Sequence, residues 1–243
     1  MSAEAAAVSP TQASPGAAAP GVRRRAIFSW CLYDWANSPY ITLITTFVFS
    51  TYFTQGVAPT PEKGAAWWGW TMGASAIVIA LLSPMLGAIA DRGGRRKPWL
   101  FVLSLVIAAG SLLLWWAKPG GGSVALSLVC VAVSIIAFEI SMSFYNAMLP
   151  GIVKPTHIGR VSGWGWGLGY LGGLSCLALA LFLFIQPETP PFGLDKKTAE
   201  HVRSVGPLVA IWLVVFSLPL FLFTPDIAGE RLPPGRAIRE GLK

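Results

Sequence analysis

The sequence has 243 residues, of which 54% are hydrophobic and 12% charged, with a mean hydropathy of +0.60. Soluble globular chains carry about 25% charged residues, so this composition excludes a chain whose main solvent is water. The net charge of +7 does not mark a nucleic-acid partner, because the basic residues sit in short loops and termini and form no stripe interleaved with exposed aromatics.

Three further classes fall away on motifs. Cys31, Cys130 and Cys176 each lie inside an apolar run and share no metal-ligand spacing, so free buried thiols are expected, with no disulfide and no zinc. His157 and His201 stand far apart in the sequence, on opposite sides of the expected bundle, and neither supports a metal site. There is no phosphate-binding GxxxxGK[ST] loop and no nucleophile with a base at plausible spacing, so neither an enzyme nor a cofactor is expected.

Residues 1–25 are rich in Ala, Pro, Ser and Gly and end in Arg23, Arg24 and Arg25. This composition cannot bury a core and predicts a disordered tail. The apolar run that follows is long and lacks a small-residue cleavage site, so it reads as an uncleaved first helix. Spans are expected at about Phe28 to Thr54, Trp67 to Ala90, Trp99 to Ala117, Val124 to Leu149, Val161 to Ile185 and Val205 to Thr224. Each is near the roughly 20 residues that cross about 30 Å of hydrocarbon. Helices are required, since open strands would leave backbone groups unpaired in lipid. The expected architecture is therefore all-α and integral to the membrane, with six transmembrane helices over residues 26–225 and a polar segment at 226–243.

Orientation follows from lysine and arginine. One side holds Arg23 to Arg25, Arg92, Arg95, Arg96, Lys97, Lys154, Arg160, Arg231, Arg236, Arg239 and Lys243; the other holds Lys63, Lys118, Lys196, Lys197 and Arg203. The richer side is cytoplasmic, which puts both termini in the cytoplasm.

The first span is too polar for a plain anchor. Asp34, Asn37, Ser38, Thr42 and Thr45 fall on one face of an ideal α-helix. A carboxylate within a membrane costs several kcal/mol unless it faces protein or a water-filled cavity, so this face is expected to turn inward. Pro39 cannot donate to the carbonyl of Trp35, which predicts a kink or a free acceptor there. Asp34 is open to two readings, a functional acid or a hydrated or structural partner of a neighbouring helix.

The second span ends in Ser83-Pro84-Met85-Leu86-Gly87, and the loop continues through Asp91, Arg92, Gly94, Arg95, Arg96 and Lys97. This glycine, acid, glycine and arginine pattern resembles the signature loop of the major facilitator superfamily of transporters. The resemblance implies that Asp91 bonds a helix end in the opposite half of the transporter, while Arg92, Arg95 and Arg96 brace helix ends and lipid phosphates. A basic anchor at the membrane border is the alternative. The resemblance also implies that this chain is one amino-terminal bundle built as a 3+3 inverted repeat. The third and sixth spans, equivalents in such a repeat, share a lack of acids, bases and amides.

The fourth span carries Glu139, followed at helical spacing by Ser143 and Asn146. At about 1.5 Å per residue, Asp34 lies roughly 9 Å and Glu139 roughly 15 Å in from the cytoplasmic ends of their helices. The two acids are expected beside one central cavity, coupling protons or holding a substrate ammonium. A protonated, permanently hydrogen-bonded Glu139 at a helix interface is the alternative. The fifth span opens with Gly165, Gly169 and Gly173 repeating every four residues, which predicts a flat face for close helix packing. Trp164 and Trp166 read as interfacial anchors, and the polar loop from Pro187 to Ser204 as a solvated cap.

Four stretches narrow the family. Leu32-Tyr33-Asp34-Trp35-Ala36-Asn37-Ser38, Tyr52-Phe53, Phe144-Tyr145-Asn146-Ala147-Met148-Leu149-Pro150 and Gly159-Arg160-Val161-Ser162-Gly163 resemble the branch that holds the autophagy-related vacuolar amino-acid effluxer and its bacterial relatives. The resemblance implies alternating-access export or exchange of a small solute, an amino acid or similar, with protons as possible co-substrate. It implies a bacterial plasma membrane and a second six-helix half, from the same gene, a second copy or a separate subunit, with 226–243 a cytoplasmic tail or the start of the linker to it. The rival expectation is a non-transporting assembly or regulatory subunit, or an inactive truncated half.

Overall fold

The structure is a computed structural model that describes residues 20–92 and 95–226, with side chains described for residues 24–86 and 95–226. The sequence assignments on 1–19, on Gly94, on 227–243 and on the side chains of Gly87, Asp91 and Arg92 lie outside these residues. Every regular element among the described residues is helical.

Helix α1 (Pro20–Pro39) runs on into a π-helical segment (Tyr40–Phe47), a short α2 (Phe49–Tyr52) and a π-helical turn (Phe53–Val57). It begins inside the segment 1–25 assigned to the tail, because a proline at the first helical position loses no hydrogen bond and has its φ preset. Helix α3 (Pro61–Arg92) follows, then α4 (Lys97–Leu113) with a tight turn to Trp116, α5 (Val124–Ile152) and α6 (Ile158–Leu179), which ends in a π-helical segment (Ala180–Ile185). A short α7 (Glu200–Arg203) leads into α8 (Val205–Phe223).

Five of these segments are long and apolar enough to cross a membrane: Pro61–Leu86, Lys97–Trp116, Val124–Ile152, Pro155–Ile185 and Glu200–Phe223. The protein is thus an all-helical integral membrane protein. The expected first span, Phe28 to Thr54, is helical apart from a bend at Val48 but is not among the five. Arg24, Arg25, Asp34 and Asn37 make α1 polar, and the pieces beyond Pro39 are short.

Helix α1 packs between α6 and α8, α8 against α4, α4 against α5, and α5 against α3. The neighbours therefore run α6, α1, α8, α4, α5, α3, and α5 meets α6 only sparingly. One apolar core gathers Trp30, Tyr33, Leu100, Phe144, Tyr145 and Leu220 near the end where α1 begins. A second gathers Tyr40, Phe49, Phe53, Ile107, Val131 and Leu213 towards the other end. Cys31, Cys130 and Cys176 are free and buried.

Two loop ends are tied down by charge. Asp226, beyond α8, accepts the backbone amides of Arg96 at 2.9 Å and Lys97 at 3.2 Å, where the first amides of α4 lack partners within their own helix. The Lys97 ammonium donates to the Phe221 carbonyl at 2.8 Å and so fixes the same junction. At the opposite end Arg203 corrects the expectation of a uniformly solvated cap, since it is 2% exposed. Its guanidinium donates to the carbonyls of Trp115 and Thr198, lies 3.6 Å from Glu200 and sits over the Trp115 ring. A planar fork of donors meeting carbonyls and a ring is the setting in which arginine tolerates burial.

Candidate functional site

The site is built on the contact between α1 and α6. Both helices begin at the same end of the bundle, and their four-residue periods fall in register: Gly165 lies at Asp34, Gly169 at Ser38 and Gly173 at Thr42. A Cβ on Gly165 would come 3.0 Å from the Asp34 carboxylate, and one on Gly169 would come 2.7 Å from the Ser38 hydroxyl. Gly172 is tighter still, with the Trp35 carbonyl oxygen 2.5 Å from where its Cβ would be. The glycines thus let the polar face of α1 lie against the α6 backbone.

Tyr145 of α5 reaches α1 beside Gly165. Its hydroxyl donates to the Trp30 carbonyl at 3.0 Å, while the Trp30 indole N–H donates to the Tyr145 carbonyl at 3.1 Å. The two rings stack at 4.2 Å and 5°. Asp34 is buried beside this pair, and its carboxylate and the Tyr145 hydroxyl both border the space at Gly165. The Tyr33 hydroxyl and the Ser104 hydroxyl lie 2.9 Å apart, which links α1 to α4 below the site.

Where α5 and α6 separate, a cleft of ≈ 360 Å³ opens, with α1 as its floor. Asp34, Asn37 and Ser38 line it from α1, Ile41 and Thr42 from the π-helical segment that continues it, Phe138, Glu139 and Met142 from α5, and Trp166, Gly169 and Tyr170 from α6. The structure therefore brings Asp34, Asn37, Ser38 and Glu139 together. Asn37 is buried and donates to the Met142 sulfur at 3.3 Å, a weak acceptor that leaves the amide open to better partners.

Several expectations change. Glu139 lines the cleft from an exposed position rather than from a helix interface, since α5 buries its other faces against α3 and α4. Ser143 and Asn146 share the polar side of α5 but do not line the cleft. Thr45 leaves the α1 face, since the winding changes to π beyond Pro39 and shifts the angular step. Its hydroxyl instead donates to the Ile41 carbonyl at 2.8 Å. Trp166 lines the cleft and meets Tyr170 edge-on at 5.1 Å. The signal for this pair was present as two aromatics four residues apart on the helix side that the glycines leave free. Of the loop residues, Arg95 is exposed and Arg96 half-buried at the start of α4, away from the cleft.

Residues 65–242 match the family model described as "Vacuole effluxer Atg22 like". The chain belongs to this Atg22-like family. Among curated relatives, the "Uncharacterized MFS-type transporter YxiO" of Bacillus subtilis (strain 168) is 32% identical over 198 residues, covering 79% of this chain and 45% of that protein. The chain thus spans less than half the length of its Bacillus relative. The "Uncharacterized protein gp19" of Escherichia phage Mu is 30% identical over 126 residues, covering 51% of this chain and 92% of that protein. No solved structure matches it.

Proposed function

We propose that the chain forms one half of a secondary transporter that moves a small amine-bearing solute, an amino acid or similar, out across the membrane by alternating access. One observation carries the reading: Asp34 and Glu139 line a single cleft whose α6 wall is Trp166 and Tyr170. Carboxylates attract an ammonium group, and aromatic faces add cation–π attraction. Asn37 and Ser38 offer donors and acceptors for the remaining polar atoms of such a solute.

The helix arrangement supports the wider picture. The helical stretch from Pro20 to Val57 serves as the first of six spans, so α4 and α8 become the third and sixth. These two pack on each other behind the cleft, a contact that a 3+3 inverted repeat allows. A second bundle covers the cleft and the open faces of α3, which is scarcely buried along its span. Both termini face the cytoplasm, and Asp34 exchanges the coupling proton.

The test uses the product of the complete reading frame in vesicles loaded with a labelled amino-acid mixture, with a pH gradient imposed. Gradient-driven loss of label is expected, and Asp34→Asn should abolish it while Ser143→Ala leaves it intact. Equal loss from wild-type and Asp34→Asn vesicles would refute the reading.

A further inference from the structure

On the far side of the α1–α6 contact from the cleft, a groove of ≈ 550 Å³ is lined by Arg24, Ile27, Phe28, Cys31, Gly163, Trp164, Gly167 and Leu168. Its volume lies within the roughly 300–1,000 Å³ of ordinary ligand sites. Apart from Arg24 its lining is apolar. A second pocket of ≈ 280 Å³ shares Ile27 and Trp164 with it and adds Lys154, His157 and Arg160. Among the residues lining the two pockets none is acidic. Arg160 lies over the Trp164 ring at 5.1 Å, which fixes a guanidinium on the wall between them.

The glycines divide by what they face. Gly165, Gly169, Gly172 and Gly173 meet α1, whereas Gly163 and Gly167, one turn apart, have nothing within 4 Å of where a Cβ would stand. A glycine inside a helix costs about 1 kcal/mol relative to alanine, and helix packing does not explain these two. They hollow the groove instead.

We propose that this paired feature binds one anionic phospholipid, its phosphate held by Lys154, Arg160 and Arg24 and an acyl chain lying along Gly163 and Gly167. Charge complementarity selects the lipid class: basic side chains without a carboxylate among them suit a headgroup with net negative charge, and the apolar groove that opens beside them suits a hydrocarbon chain. Arginine forks match phosphate geometry better than lysine alone, and the Trp164 ring keeps that of Arg160 in place. A zwitterionic headgroup brings its own cation into the basic pocket and is disfavoured.

The inference goes beyond the transport reading and does not depend on the solute. It is tested on the full chain, purified in detergent and stripped of lipid, by native mass spectrometry and thermal unfolding with phosphatidylglycerol, phosphatidylcholine or inorganic phosphate added. Phosphatidylglycerol is expected to remain bound at one per chain and to raise the unfolding temperature, with little effect of the other two. Filling the groove with Gly163→Leu plus Gly167→Leu, or neutralising the pocket with Lys154→Gln plus Arg160→Gln, should weaken lipid retention roughly tenfold or more. The lipid-free unfolding temperature of each variant reports whether it folds; where a double variant does not, Gly167→Val and Arg160→Gln singly take its place. Equal retention of phosphatidylcholine, an equal effect of inorganic phosphate alone, or full retention in the variants would each overturn the proposal.

Discussion

The indole N–H of Trp212 donates to the carbonyl of Trp35 at 3.1 Å, filling the position that Pro39 leaves without a donor. In an unbroken α-helix the amide of residue 39 would bond this carbonyl, and proline has no amide proton. The two indoles stack at 5.7 Å and 19°, with Phe216 edge-on to Trp35. One residue of α1 therefore helps decide where α8 docks.

Trp212→Phe keeps an aromatic ring at the stack and removes the donor. It is expected to lower stability by about 1–3 kcal/mol, read from thermal unfolding of the detergent-solubilised chain. In a Pro39→Ala background the helix supplies its own donor, so the same substitution should cost clearly less. An equal cost in both backgrounds would show that the Trp35 carbonyl is not what Trp212 serves.

Gly172→Ala places a methyl group against the Trp35 backbone, 2.5 Å from its oxygen, and backbone cannot swing aside as a side chain can. A loss of roughly 1–3 kcal/mol is expected from this overpacking. Gly73→Ala on α3 meets nothing within 4 Å and is expected to be neutral or to stabilise by up to about 1 kcal/mol through helix propensity. Both are measured by the same unfolding assay. The opposite ordering would mean that α1 and α6 are not in close backbone contact.

Much of this bundle was legible in the sequence because membrane burial leaves strong signals. Apolar length marked α3, α4, α5, α6 and α8, and the polar residues from Asp34 to Thr42 marked the inner face of α1. The limits came from winding and from exposure. Thr45 drops off the α1 face because the i→i+4 pattern gives way to π winding after Pro39. Hydropathy reports that Glu139 is out of place in an apolar helix, yet says nothing of whether a neighbour covers it. Arg203 was hidden because a basic residue in a polar loop looks solvated until Trp115 and Thr198 are seen to receive it.

Arg203→Lys is expected to cost about 1–3 kcal/mol, since an ammonium cannot serve the Thr198 and Trp115 carbonyls while stacking on the Trp115 ring. Arg95→Lys, at an exposed position, is the control and should leave unfolding unchanged. If the two substitutions shift the unfolding temperature equally, the buried guanidinium is not holding α8 to the end of α4.

Trp166 offers the most direct reading of solute charge. It lines the cleft with Asp34 and Glu139, and its ring remains two-thirds accessible at 66% exposure, so it is available to a bound molecule and is not committed to packing. A cation over a tryptophan face gains about 0.5–2 kcal/mol, which corresponds to roughly 2- to 30-fold in affinity. Trp166→Leu preserves apolar bulk and removes the negative ring face. In vesicles carrying the product of the complete reading frame, the half-saturating concentration of an amine-bearing solute should rise within that range. A neutral analogue that competes for the same transport should be unaffected, because leucine still supplies the apolar surface it touches. If both solutes weaken together, Trp166 acts through shape alone, and the carboxylates of Asp34 and Glu139 would have to select the ammonium without aromatic help.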